Sequence, residues 1–279
     1  MKNTSGQDLA GRRIAITGAG RGIGRATAAE LVRRGATVCI GDIDAGCARD
    51  TAEALGPSVT SSVLDVTDSA SFAAFLDQAR SDMGGLDVLI NNAGVMPIGR
   101  FLEQSEEIVR RSTDINLIGP ILGMRLALPD MLARGRGHIV NVSSSAGKAA
   151  VPGGLNYGAQ KAGLVHLTEG ARIEFAGRGV DFTCVIPFFT NTDLISGTKG
   201  ARLVRTVEPE EVAREIATAI VKRKKDVYTP GLLRPLLAMQ PLVGRRLRDG
   251  MYRALGAYDT FLDVDRSRRS DYDRRINGN

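Results

Sequence analysis

Arg12-Arg13-Ile14-Ala15-Ile16-Thr17-Gly18-Ala19-Gly20-Arg21-Gly22-Ile23-Gly24 is the stretch on which the fold turns. Its first half is a short apolar, β-branched run. Its second half sets glycine at positions 18, 20, 22 and 24, and Ala26–Arg34 then reads as an amphipathic helix stopped by Gly35. Strand, glycine turn and helix in direct succession are the context of a dinucleotide site. Glycine lets main chain approach a pyrophosphate, and the free N–H groups of a helix start point toward it. The spacing is T-G-x-x-x-G-x-G and not G-x-G-x-x-G, so a tight turn without ligand competes with the binding reading.

Downstream the same alternation continues. Ala36–Asp42 is a second strand ending in an acid, placed where a carboxylate accepts hydrogen bonds from an adenosine ribose and repels a 2′-phosphate. NAD is therefore expected over NADP, although Arg21 in the glycine turn pulls the other way. Helices are expected over Ala45–Leu55 and Ser69–Met83, the latter capped by Asp68 or Ser69, with strands at Val59–Leu64 and Leu86–Ile90. Asn91-Asn92-Ala93-Gly94 closes the fourth strand and offers amides at a strand's C-terminal end, where open α/β sheets bind ligands.

The longest helical stretch, Glu106–Arg134, contains Asn116 four residues before Pro120. Proline removes the N–H that would bond the Asn116 carbonyl, so a kink is expected there, leaving that carbonyl to hold a water. His138–Val142 is the fifth strand, followed by Ser143-Ser144-Ser145. Asn156-Tyr157-Gly158-Ala159-Gln160-Lys161 opens the next helix, with Tyr157 and Lys161 one turn apart. An ammonium near a phenol favours phenolate, which would fit Tyr157 for proton transfer near neutral pH. Gly179–Ile186 and Asp226–Thr229 are the sixth and seventh strands, separated by a helix over 208–222. The alternation argues for a single doubly wound α/β domain of Rossmann type, residues 1–231, with a seven-stranded parallel sheet.

Composition agrees with a globular α/β protein: 43% apolar residues, 33 glycines and no tryptophan. Three cysteines have no metal-ligand spacing; Cys39 and Cys184 sit in strand-like runs and read as core residues, so a reducing cytoplasm is expected and no metal site. No secretory leader or membrane span is expected. Residues 1–200 carry 20 basic and 20 acidic side chains, and 201–279 carry 17 and 11, which supplies the whole net charge of +6.

Together these motifs resemble the short-chain dehydrogenase/reductase family over roughly residues 10–230. The resemblance rests on Thr17-Gly18…Gly22-Ile23-Gly24, Asp65-Val66, Asn91-Asn92-Ala93-Gly94, Asn116, the serine run and Tyr157…Lys161. It implies a catalytic tetrad of Asn116, Ser144, Tyr157 and Lys161. Tyr157 would exchange a proton with the substrate oxygen and Ser144 would hydrogen-bond that oxygen. Lys161 would bind the nicotinamide ribose and depress the Tyr157 pKa, and Asn116 would hold a water linking Lys161 to solvent. Cofactor contacts are implied at Gly18, Arg21, Gly22, Ile23, Gly24, Asp42, Ile43, Asp65, Val66, Asn92, Ala93, Gly94, Tyr157, Lys161, Pro187, Thr190 and Thr192. The expected activity interconverts a small, apolar or lipid-like secondary alcohol and its ketone. An NADP-dependent reductase and a catalytically silent nucleotide-binding regulator are the alternatives. The family's dimers or tetramers, built on the helices carrying Asn116 and Tyr157, are expected here.

One departure concerns Pro187-Phe188-Phe189-Thr190-Asn191-Thr192, where the family has Pro-Gly-x-Val-x-Thr. Phe188 replaces a flexible glycine, and the two phenylalanines either line an apolar pocket or pack. The segment 190–207 is expected to be a substrate lid hinged at Gly197 and Gly200, with Leu194, Ile195 and Leu203 facing an apolar substrate. Residues 232–279 form a basic amphipathic extension. Val243, Leu247, Met251 and Leu255 make an apolar stripe opposed by Arg245, Arg246, Arg248 and Arg253. It packs over the substrate pocket or a subunit interface, makes a weak membrane-surface contact, or extends into solvent. Arg266–Arg275, interleaved with Asp263, Asp265, Asp271 and Asp273, reads as a salt-bridged surface and not a nucleic-acid arm.

Overall fold

The computed structural model describes residues 7–198, 205–240, 243–254 and 260–277. Seven strands form one parallel sheet: β1 (Arg13–Thr17), β2 (Thr37–Asp42), β3 (Val59–Val63), β4 (Val88–Asn91), β5 (Gly137–Val142), β6 (Val180–Pro187) and β7 (Asp226–Thr229). Their order is β3-β2-β1-β4-β5-β6-β7. The chain winds outward from β1 in one direction, then returns to start again at β4. That reversal leaves a crevice beyond the C-terminal ends of β1 and β4, where such sheets take ligands.

Alternation along each strand explains the two covered faces. On β1, Ile14 and Ile16 join Val38, Ile40, Ile90 and Val140 under α1 (Gly22–Arg33) and α7 (Pro209–Lys222). Ala15 points the other way, joining Cys39, Leu89 and Ile139 against Phe72 and Phe75 of α3 (Ser69–Met83) and Met124 and Met131 of α5 (Gly119–Ala133). Side chains of successive strand residues emerge on opposite faces, so a continuous apolar run is what a twice-covered strand requires.

Local chemistry sets the helix ends. Asp44 caps α2 (Ala45–Leu55) by accepting the Cys47 N–H, and Asp68 caps α3 by accepting the Ala70 N–H. Gly84 in the left-handed region, φ 71°, closes α3. Strand ends shift by one or two residues, as in β4, and two helix boundaries differ more from the sequence-based expectation. α1 begins at Gly22, inside the glycine turn, and not at Ala26. Near Pro120 the chain does not open at a simple kink: α4 (Glu106–Thr113) passes through a π-helical turn, Asp114–Ile118, into α5. Inserting a residue into the helical ladder absorbs the bonding mismatch that proline creates.

The continuous rod Glu106–Ala133 is long and apolar enough to cross a membrane by length and composition alone. Here its Met124, Ala127, Leu128 and Met131 pack into the core. α6 (Leu155–Glu174) lies on the same side of the sheet, against β6 and the π-helical turn. Beyond β7 come α8 (Leu233–Met239), α9 (Arg245–Ala254) and α10 (Arg266–Asn277).

Candidate active site

A cleft of about 1540 Å³ opens at the β1/β4 switch point. One half is built from the glycine turn. Gly18 (φ 63°) lies so close to the fourth strand's end that a Cβ there would sit 2.6 Å from the Ala93 Cα. A Cβ on Gly24 would meet the Gly18 carbonyl oxygen at 2.4 Å. Thr17 Oγ1 accepts the N–H groups of Asn92 and Ala93, each at 3.0 Å, and Asn92 Nδ2 donates to the carbonyls of Thr17 and Gly18. The Asn-Asn-Ala-Gly segment therefore braces the glycine turn from below.

α1 starts at this cleft with no side-chain cap and no acid in its first turn. Its unpaired N–H groups give an anion the hydrogen bonds and the favourable end of the helix dipole. Asp42 Oδ2 accepts the Gly20 N–H at 2.9 Å and Oδ1 accepts the Asp44 N–H at 3.1 Å, leaving the carboxylate at the cleft wall. Arg21 turns from the cleft centre to pair with Asp44 at 2.6 Å. Ile43, 64% exposed, and the segment Asp65-Val66 continue this wall, with Asp65 Oδ1 tied to Thr67. Glycines without room for a Cβ, an uncapped helix start and a ribose-side carboxylate fit a pyrophosphate-linked dinucleotide.

The other half is lined by three of the four residues expected to act together, Ser144, Tyr157 and Lys161, with Asn116 behind its wall. Ser144 follows β5, its hydroxyl accepts the Ala146 N–H at 3.1 Å, and it shares the cleft wall with Tyr157. Lys161 Nζ donates to the Val142 carbonyl at 2.9 Å and lies 5.9 Å from the Tyr157 ring centroid. Burial pushes the Lys161 pKa down to about 8. Burial also raises the Tyr157 pKa, with Ser144 partly opposing it. The depressed phenol expected from the lysine is thus not realised: the ammonium donates to the Val142 carbonyl, 5.9 Å from the ring centroid, and desolvation dominates.

Asn116 is fully buried in the π-helical turn. Its Oδ1 accepts the Val95 N–H at 3.0 Å and its Nδ2 donates to the Val95 carbonyl at 2.8 Å and to Gln160 Oε1 at 2.7 Å. Gln160, missed in the sequence, donates on to Ser112 and Thr113 and thereby pins the turn to the helix that carries Tyr157 and Lys161. Its position three residues after Tyr157, on the same inward face, was the available signal.

Pro187 ends β6 at the cleft; beyond it Thr192 approaches Gly22, and Thr190 is buried with its hydroxyl turned back onto the Phe188 carbonyl. Phe188 and Phe189 pack edge to face, and Phe189 continues onto Phe261, ring centroids 5.6 Å apart. Met96, Tyr157 and Phe261 form a separate apolar cluster joined by Val151, Phe189, Leu194 and Ile195. Of the proposed lid, Gly200 and Leu203 lie outside the described residues, and Gly197 is pinned and not free: its carbonyl accepts the Asp265 N–H.

The tail divides in two. Residues 260–277 border the cleft, and the expected salt-bridged surface holds in part: Arg266–Glu103, Arg274–Asp271 and Arg275–Asp193 are exposed ion pairs, but Arg269 is 2% exposed and Tyr272 and Ile276 are buried beside it. Leu232, Leu236, Met239 and Leu247 remain exposed, while Leu255 and the Met251 side chain lie outside the described residues. No cluster of potential metal ligands occurs among the described residues.

A profile of the short chain dehydrogenase family matches residues 12–202. The chain is 40% identical over 225 residues to a cis-4-hydroxycyclohexanecarboxylate dehydrogenase of Sinomonas cyclohexanicum, covering 76% of this chain and 90% of that one. It is 30% identical over 240 residues to mouse 17-beta-hydroxysteroid dehydrogenase 13, covering 84% and 79%. A crystal structure of a Burkholderia phymatum short chain dehydrogenase/reductase in complex with NAD is similar with a TM-score of 0.76 at 27% identity, over 84% of this chain and 94% of that one. A seven-stranded parallel sheet, a dinucleotide cleft and these relatives lead to one statement: the chain belongs to the short-chain dehydrogenase/reductase family and is an alcohol-acting oxidoreductase using a nicotinamide cofactor.

Proposed function

We propose that this protein is an NAD(H)-dependent enzyme interconverting an apolar, ring-bearing secondary alcohol and its ketone. The observation that carries the reading is the placement of Ser144 and Tyr157 together on the cleft wall, where the glycine-lined half of the cleft meets the apolar half. The nicotinamide, when bound, supplies the hydride chemistry. Tyr157 Oη holds the proton that the substrate oxygen gains on reduction and returns on oxidation. Ser144 Oγ donates to that same oxygen and keeps the phenol aimed at it. Lys161 remains largely cationic at neutral pH, its pKa being about 8, and steadies negative charge on the phenol during transfer. Asn116 and Gln160 hold the main chain at Val95 and the turn beside Lys161.

The placement of Asp42 on the cleft wall, and of Arg21 in an ion pair with Asp44, supports NAD over NADP. Met96, Phe189, Leu194 and Phe261 support an apolar substrate, and two relatives are named for saturated-ring alcohols. Exposed Ile118, Leu155 and Ile173 support self-association through the helices carrying Asn116 and Tyr157. Exposed Leu232, Leu236 and Met239 beside Arg234 support a weak membrane-surface contact by the first part of the tail.

The test is Tyr157→Phe, assayed on a panel of secondary alcohols with NAD and NADP. Turnover is expected to fall by on the order of a hundredfold or more, while NADH affinity by fluorescence titration stays within about twofold. Turnover at the wild-type rate would overturn the assignment.

A further inference from the structure

We propose that residues 260–277 are a built-in fourth wall of the substrate chamber, in which Phe261 and Tyr272 limit substrate size and Arg269 is the positioning residue that holds them. This deepens the reading above and rests on it for the identity of the reacting group.

The wall is formed by contact, not proximity. Phe261 clusters with Tyr157 and Met96 and stacks obliquely on Phe189. The Tyr272 hydroxyl accepts the Met96 N–H at 2.8 Å, and burial raises its pKa. At neutral pH its ring is therefore a neutral, apolar surface turned toward the same chamber.

Arg269 explains how a short, highly charged helix stays there. A buried guanidinium is costly unless its N–H groups are satisfied. Nη1 donates to the carbonyls of Leu194 (2.8 Å) and Ser196 (3.0 Å), Nη2 to the carbonyl of Met96 (2.5 Å), and Nε to Asp273 (3.0 Å). The side chain also lies over the Tyr272 ring, 4.5 Å from its centroid. One residue thus joins the turn after β6, the loop after β4 and the tail helix. Arg275–Asp193 and Arg266–Glu103 add ion pairs from the tail to the core.

The core is shaped to receive this tail. A Cβ on Gly153 would sit 2.7 Å from the Phe261 carbonyl, and one on Gly154 would sit 2.9 Å from the Phe261 ring. A Cβ on Gly197 would sit 2.4 Å from the Asp265 carbonyl oxygen. Two places on the core, Gly153-Gly154 and Gly197, carry no side chain where the tail comes down, and at Gly154 the Phe261 ring is the neighbour that leaves no room.

The experiment compares wild type, Phe261→Ala and Arg269→Gln on cyclohexanol and cyclododecanol, with amide hydrogen exchange measured without substrate. Phe261→Ala is expected to raise the cyclododecanol-to-cyclohexanol ratio of kcat/KM by on the order of tenfold, with NADH affinity within about twofold of wild type. Arg269→Gln is expected to raise that ratio as well and to speed exchange at 194–198 by at least roughly tenfold. A ratio in Phe261→Ala within about twofold of wild type overturns the size limit. Unchanged exchange in Arg269→Gln overturns the positioning role. If wild type turns over neither alcohol with NAD or NADP, the proposed reaction fails, and the exchange result still decides the part assigned to Arg269.

Discussion

His138 gives this protein a defined weakness in acid. Its ring is buried at the start of β5, and Nε2 lies 2.8 Å from Thr183 Oγ1. Thr183 has a single hydroxyl proton, which it donates to the Lys224 carbonyl at 2.6 Å. His138 Nε2 must therefore carry the proton in that contact, leaving Nδ1 as the site that titrates. Burial, reinforced by Arg223 and Arg12, lowers the pKa from 6.5 to about 4. The folded protein thus binds this proton more weakly than the unfolded chain. Stability is unaffected above about pH 6.5, falls as pH drops toward 4, and levels off below, a total of about 3 kcal/mol, of which about 2 kcal/mol is lost by pH 5. His138→Gln keeps an amide donor for Thr183 and removes the titration. Urea unfolding followed by circular dichroism, run on both proteins at about pH 7.5 and 5, isolates the term, because every other group titrates alike in the two. The stability of wild type relative to the variant is expected to drop by about 2 kcal/mol between those conditions. An unchanged difference would refute the assignment.

Three further outcomes follow from the cleft. Asp42→Asn removes the charge that opposes a 2′-phosphate, so the affinity ratio of NADPH to NADH should rise by on the order of tenfold in fluorescence titrations; an unmoved ratio counts against Asp42. Gly24→Ala forces a Cβ to within 2.4 Å of the Gly18 carbonyl, so NADH binding should be lost while the circular dichroism spectrum is kept, and retained binding would contradict the geometry. Gln160→Met leaves Asn116 Nδ2 with one partner fewer, and should cost about 1–3 kcal/mol in unfolding free energy and lower kcat more than NADH affinity. Equal loss of both would make its role merely structural.

What sequence made legible follows from local physics. α2 and α3 run as read because Asp44 and Asp68 cap them and glycine ends them. The strands follow from apolar runs that a twice-covered sheet requires, and Ser144, Tyr157 and Lys161 line one cleft, with Asn116 buried behind its wall. What escaped reading depends on partners distant in the chain. Arg269 sits among aspartates and arginines and looks solvated, yet its carbonyl partners at 96, 194 and 196 exist only once the chain has folded. The π-helical turn before Pro120 and the holding of Lys161 by Val142 are likewise settled by packing and not by spacing.

The cleared positions Gly153, Gly154 and Gly197 have a consequence for inheritance. Tail and core are keyed to each other, as plug to socket, though they lie far apart along the chain. A recombination that carried residues 260–277 onto a related core bearing side chains at those positions would leave the tail undocked. The reverse exchange would leave this core with an open chamber and Gly154 facing no tail, while Gly153 and Gly197 would still serve their positive φ. Substrate range in such a lineage changes in paired steps, and a relative's core sequence alone announces whether a tail of this kind has a seat.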